Sequence, residues 1–181
     1  MTEQKVSSRY ARAIMDVAEQ EAITANVLED FQFIKELLKQ SRELLNLIHS
    51  PIISVLKKKD ILKEILENKV NILTLNFVLL LVDKRREDLI LSIIEQFRNI
   101  FDINNNRLRA EITSATELTS AIKEQILAKF SSLTGKTILP EYKTDPKVKG
   151  GVMIRVDDLV YDATLKTQLK LLEQTLNGTR V

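Results

Sequence analysis

No cysteine occurs in the 181 residues, which excludes a disulfide framework, a cysteine-ligated zinc site and a thiol nucleophile. Tryptophan is absent too, and there is a single histidine, His49. Acyl transfer by a triad needs a base beside a nucleophile. The one imidazole stands at the end of an apolar segment, just ahead of Ser50-Pro51, where a partly buried helix-end role is expected. The four glycines are Gly135, Gly150, Gly151 and Gly178, and none fits the Gly-x-x-x-x-Gly-Lys spacing of a phosphate cradle. Asp157, Asp158 and Asp162 are close in sequence, but turn and helix-cap roles account for all three. Long hydrophobic runs are missing as well. The longest, residues 72–82, falls far short of the ~20 apolar residues that cross a bilayer, and the charged run 83–88 follows at once. No catalytic, metal or cofactor site emerges from the residues.

What is present is a chain of 44% hydrophobic and 29% charged residues, ordinary for a globular protein. The net charge of +2 is unevenly spread. Residues 1–105 carry 15 lysines and arginines against 16 acids, and residues 106–181 carry 12 against 9. An imbalance this small makes no case for nucleic acid by itself.

Periodicity divides the chain near Asn104-Asn105-Asn106. Before it, apolar residues recur at helical spacing in six segments, which predicts a six-helix bundle over residues 1–105. Helix 1, residues 3–21, carries two apolar stripes, Val6-Tyr10-Ala13-Ile14-Val17 and Ala11-Met15-Ala18-Ala22. Together they span an arc of roughly 200°, about twice that of a helix facing one core. Either two neighbours in the bundle grip it, or the alanine-lined stripe receives a helix from another chain. Thr24, Ser54 and Asn71 are expected N-caps of helices 2, 4 and 5, and Ser50-Pro51 ends helix 3. The Lys57-Lys58-Lys59 run reads as a solvated face. Helix 5 is apolar around nearly its whole circumference, interrupted only by Thr74 and Asn76. It sits at the centre of the bundle or lends one side to a partner.

After the asparagines the period changes. Leu108-Arg109-Ala110-Glu111-Ile112-Thr113 alternates as a half-buried strand does. A helix with Leu118, Ile122, Ile126, Phe130 and Leu133 follows, with Gly135 at its C-cap. A strand around residues 137–143 places Pro140 at an edge or bulge. Gly150-Gly151 opens a third strand, Asp157-Asp158 turns it into a short return strand, and Asp162 caps a last helix with Leu165, Leu169, Leu172 and Leu176 as its stripe. Residues 106–181 thus read as a small α/β domain of three to four strands and two helices, and the whole chain as α+β.

Two stretches carry a resemblance. Ser8-Arg9-Tyr10-Ala11-Arg12-Ala13-Ile14-Met15-Asp16-Val17-Ala18 resembles the first helix of the delta subunit of F-type ATP synthase, the counterpart of the mitochondrial oligomycin sensitivity-conferring protein. Gly150-Gly151-Val152-Met153-Ile154-Arg155-Val156-Asp157 with Tyr161-Asp162-Ala163-Thr164-Leu165-Lys166-Thr167-Gln168-Leu169 resembles that family's C-terminal signature. Between them, Leu80-Leu81-Val82-Asp83-Lys84-Arg85-Arg86 falls where the family has an apolar helix ending in a basic loop. Thr167 departs from the family, in which bacterial relatives often carry a basic residue there.

The resemblance implies a non-catalytic subunit without cofactors, present in one copy in a hetero-oligomeric complex. It implies a link between catalytic head and peripheral stalk that resists rotation and so couples proton flow to ATP synthesis. The N-terminal helix of an alpha subunit is expected in a groove of helices 1 and 5, on Tyr10, Ala11, Ile14, Met15, Phe77, Leu80 and Leu81. The b subunits of the stalk are expected on the C-terminal domain, whose signature residues include Gly150, Gly151, Arg155, Asp162 and Lys166. The implied location is peripheral, on the cytoplasmic face of a bacterial plasma membrane or the stromal face of a thylakoid, with no membrane span and no nucleic acid. The alternative reading is a helical nucleic-acid-binding or other protein-interaction domain.

Overall fold

The computed structural model describes residues 3–148, 150–156 and 159–178, without the side chains of 171 and 176–178. It divides into two compact units, 1–101 and 102–181. The first is helical: α1 (Glu3–Gln20), α2 (Thr24–Gln40), α3 (Arg42–His49), α4 (Val55–Leu66), α5 (Ile72–Asp83) and most of α6 (Ile90–Asn104), with a short 3₁₀ turn at Glu87–Leu89 before α6. Local chemistry starts three of these helices. Ser41 accepts from the Leu44 amide, Ser54 from Lys57 and Asn71 from Leu73, each satisfying a donor that the first turn leaves open. Thr24 does not act as the cap of α2; Ile23 holds that position with no side-chain bond, and Thr24 is already helical.

Phe31 and Phe97 meet edge to face, 4.9 Å between ring centroids, at the heart of the bundle. Around them, Ala11, Ala18, Val27, Leu81, Val82 and Ile93 lose all contact with solvent. Two polar ties fix α5 and the chain end of α3. Asp30 of α2 accepts from both the Asn71 amide (2.8 Å) and the Thr74 hydroxyl (2.7 Å). A carboxylate there also favours the positive end of the α5 dipole. This is why Thr74 is tolerated with no exposure at all. Lys58, expected on a solvated face, is buried. Its ammonium donates to the Ile48 carbonyl (2.7 Å) and to Glu87 (2.5 Å), joining α3, α4 and the turn before α6. Its neighbour Lys59 pairs with Asp83 at the end of α5. His49 is exposed rather than partly buried.

The second unit is a four-stranded mixed sheet in the order β2-β1-β3-β4, from β1 (Arg107–Ser114), β2 (Thr137–Thr144), β3 (Gly151–Val156) and β4 (Leu159–Thr164). β1 and β2 are parallel, joined through α7 (Ser120–Thr134); β1–β3 and β3–β4 are antiparallel. Gly135 ends α7 in the left-handed region (φ +66°) that glycine enters at no steric cost. Pro140 sits on β2, an edge strand, where a missing N–H is harmless. Ala110, Ile112, Ile138, Ile154 and Val156 bury one sheet face with Phe130 of α7. The last helix, α8 (Leu165–Gly178), follows β4 directly. The expected turn at Asp157-Asp158 and the Leu176 side chain lie outside the described residues.

Candidate docking surfaces

Burial on α1 cuts across its two stripes, since Ile14 of the first is buried with the second and Ala22 of the second is exposed. Ala11, Ile14, Met15 and Ala18 turn inward and are buried, whereas Val6, Tyr10, Ala13 and Val17 lie half-buried or exposed along one flank. The alanine-lined stripe is therefore closed to another chain. Its small side chains let the protein's own helices approach instead. The same division holds on α5, where Phe77 and Leu81 face the core while Leu80 (43% exposed) and Ile72 (66%) do not. Of the seven groove residues expected from the sequence, Ala11, Ile14, Met15, Phe77 and Leu81 are core; Tyr10 is half-buried and Leu80 exposed.

The two helices nonetheless touch at one point, one stripe over from the expected face. Tyr10 and Phe77 meet edge on at 6.4 Å between centroids, which brings the flanks of α1 and α5 together. Tyr10 belongs to the row Val6-Tyr10-Ala13-Val17, and Phe77 to Leu73-Phe77-Leu80. Both rows have the i, i+3/i+4 spacing that keeps side chains on one helix side. The rows carry no charge, so the surface they present is apolar.

In the second unit the signature residues gather at the junction of β4 and α8. Gly151 (φ +79°) lies across from Thr164, and a Cβ on it would stand 2.4 Å from the Ala163 carbonyl oxygen. Only glycine lets the strands approach this closely here. Gly150 (φ +113°) lies under Leu165 and accepts from its amide at 3.1 Å. Asp162 accepts from the Thr164 amide (2.9 Å) and the Thr167 hydroxyl (2.7 Å). These bonds, the one to the Thr164 amide first, hold its carboxyl below its ordinary range. Asp162 is thus a strand residue that braces the first turn of α8; the cap position belongs to Thr164, whose hydroxyl accepts from the Thr167 amide at 3.4 Å. Arg155 is exposed and does not join this cluster; Lys166, also exposed, adds its charge to what lowers the Asp162 carboxyl.

Braced in this way, α8 holds out a row of leucines: Leu165, Leu169 and Leu172 are 51%, 65% and 57% exposed. At the other end of the β3–β4 pair, Leu108, Phe130, Val156, Leu159 and Tyr161, with Thr134 and Lys136, line a mostly apolar pocket of about 430 Å³. Among the described residues no group of three or more His, Cys, Asp or Glu is placed to hold a metal ion. No described helix is long and apolar enough to cross a membrane.

Residues 6–176 match the family model described as ATP synthase delta (OSCP) subunit. The chain belongs to that family. Relatives named ATP synthase subunit delta include those of Desulforudis audaxviator, 33% identical with 97% of both chains covered, and Crocosphaera subtropica, 36% identical with 96% of this chain and 95% of that one. A chain of the Toxoplasma gondii mitochondrial ATP synthase hexamer shares the fold with a TM-score of 0.73, at 21% identity over 97% of this chain and 98% of that one. Delta (OSCP) subunits are non-catalytic members of F-type ATP synthase and link its stator. They are a peripheral part of the complex. Membership in this family disfavours the nucleic-acid-binding alternative.

Proposed function

We propose that this chain ties the catalytic head of an F-type ATP synthase to its peripheral stalk, one apolar surface for each partner. The bundle, residues 1–105 in sequence terms, takes the N-terminal helix of an alpha subunit along the touching flanks of α1 and α5. The observation that carries this is the uncharged, open flank around the Tyr10–Phe77 contact, with Val6, Ala13 and Val17 on α1 and Leu73 and Leu80 on α5. An amphipathic helix laid there buries apolar area worth about 25 cal/mol per Å² before association costs. Residues 106–181 take the ends of the b subunits on the leucine row of α8, with Gly150, Gly151 and Asp162 setting how that helix leaves the sheet, and Arg155 and Lys166 exposed to meet polar groups. One copy per complex sits on the cytoplasmic face of a bacterial plasma membrane or the stromal face of a thylakoid.

Such a joint transmits torque without chemistry, so it is built from rigid helices and apolar burial. Titration of the full chain with a synthetic alpha N-terminal peptide tests it. Leu80→Asp is expected to weaken binding at least about tenfold, since one charge must be desolvated against an apolar helix, with the helical circular dichroism unchanged. Undiminished affinity of Leu80→Asp would place the peptide elsewhere. Leu81→Asp, one residue on, is expected to unfold the bundle instead, because that side chain has no exposure.

A further inference from the structure

The neighbouring row of α1 has a different chemistry. Lys5, Arg9 and Arg12 recur at i, i+4 and i+7 on it, all exposed. With Gln4 and Ser8 of the same helix and Gln96 of α6 they line a shallow, wide-open cleft of about 570 Å³. Among the described residues none of these three cations has an ionic or hydrogen-bond partner. On the α6 side, helical spacing sets Ser92 and Asn99 beside Gln96, and none of the three is acidic. The acid nearest in that helix, Glu95, is bound to Lys35 of α2, and that bond holds its carboxyl below the ordinary range. The cleft therefore gathers three unpaired cations beside amide and hydroxyl groups, with Asp16 one turn on from Arg12, while the rest of residues 1–105 carries 12 bases against 16 acids.

We infer that this cleft between α1 and α6 is a second docking site, for an acidic peptide segment of a partner protein. Carboxylates of the segment pair with Lys5, Arg9 and Arg12, and Gln4, Ser8 and Gln96 supply hydrogen bonds to its backbone. A helical or extended acidic stretch meets three cations spaced over two helical turns, about 10 Å. An extended polyanion or a membrane surface is a poorer match, because it would also lie against the rest of residues 1–105, which carry 16 acids against 15 bases in all. The site adjoins the apolar row, since Arg9 stands three residues from Val6 and four from Ala13. α1 would then be held by partners along two neighbouring rows.

The test is a resonance-mapped titration of the isotope-labelled full chain with three probes at low salt: a hexaglutamate peptide, a single-stranded RNA oligomer and phosphatidylserine vesicles. The expected result is saturable shifts at Gln4, Ser8, Arg9 and Gln96 with hexaglutamate. The affinity should fall at least about fivefold in the double variant Arg9→Gln, Arg12→Gln, from two lost ion pairs. Both substitutions lie on an exposed face and leave the fold intact, which the unshifted core resonances report. Shifts centred instead on the exposed Lys84-Arg85-Arg86 loop, no saturable binding, no effect of the double variant, or equal or tighter binding of RNA or vesicles would each overturn the assignment.

Discussion

In the bundle, 22 buried hydrophobic side chains form one cluster, whereas among the described residues of the sheet unit only six do. The bundle closes over Phe31 and Phe97. The sheet unit leaves a whole helix stripe uncovered. Among its described side chains, α8 offers Leu165, Leu169 and Leu172 to solvent while its base is locked by two glycines and a carboxylate. A helix that short has little stability of its own in water. The difference teaches that the two surfaces are prepared differently. The proposed α1–α5 surface rests on a finished core. The α8 stripe is aimed by its base and completed by whatever covers it.

This contrast can be broken at its strongest points first. Lys58→Met removes the partner of Glu87 in a buried pair and leaves an uncompensated carboxylate. The expected loss is about 3–5 kcal/mol of bundle stability, read by chemical denaturation. The double variant Lys58→Met, Glu87→Leu should recover most of it. Gly151→Val introduces a Cβ that meets the Ala163 oxygen at 2.4 Å and a backbone at φ +79°. It should cost about 3 kcal/mol or more and melt the sheet unit, while the bundle resonances stay in place. Leu169→Ser with Leu172→Ser should change the unfolding free energy by less than about 0.5 kcal/mol, because neither side chain is covered. It should nevertheless abolish binding to a peptide from the end of a b subunit. The smallest effect is a pH dependence at Asp162. Its carboxyl is depressed in the folded state, so its contribution is present above its ordinary pKa of 3.8 and is lost as pH falls through the folded value. The Thr164 and Thr167 resonances should move together in that acid range, and Asp162→Asn should remove the transition.

Much of this architecture is legible in the sequence where its cause is local. Asn71 and Ser54 cap because their side chains reach amides two or three residues on, and Gly135 ends α7 because the left-handed turn suits it. The change from helical to alternating period after Asn104-Asn105-Asn106 reports the move from bundle to sheet. The inward face of α1 is not legible, because both of its stripes are apolar and only packing against distant helices chooses between them. That is why Ala11, Ile14 and Met15 read as groove residues and are core. The burial of Lys58 is equally hidden, since its partner Glu87 lies 29 residues away and its sequence neighbours are also lysines. The tie from Asp30 to Thr74 spans 44 residues and leaves no periodic trace. The glycine pair signals a close approach, but Ala163 as the approaching strand requires the register of β3 on β4. The basic row on α1 is visible as spacing; its lack of partners is visible only in three dimensions.

Amide hydrogen exchange on the chain, free and within the assembled ATP synthase, tests the two-surface account most directly. The account predicts that α8 exchanges fast in the free chain and slowly in the complex, while the core amides of α5 are protected in both and the outer flank of α1 gains protection only on assembly. Equal protection of α8 in both states, or no gain along α1 and α5 on assembly, would contradict it.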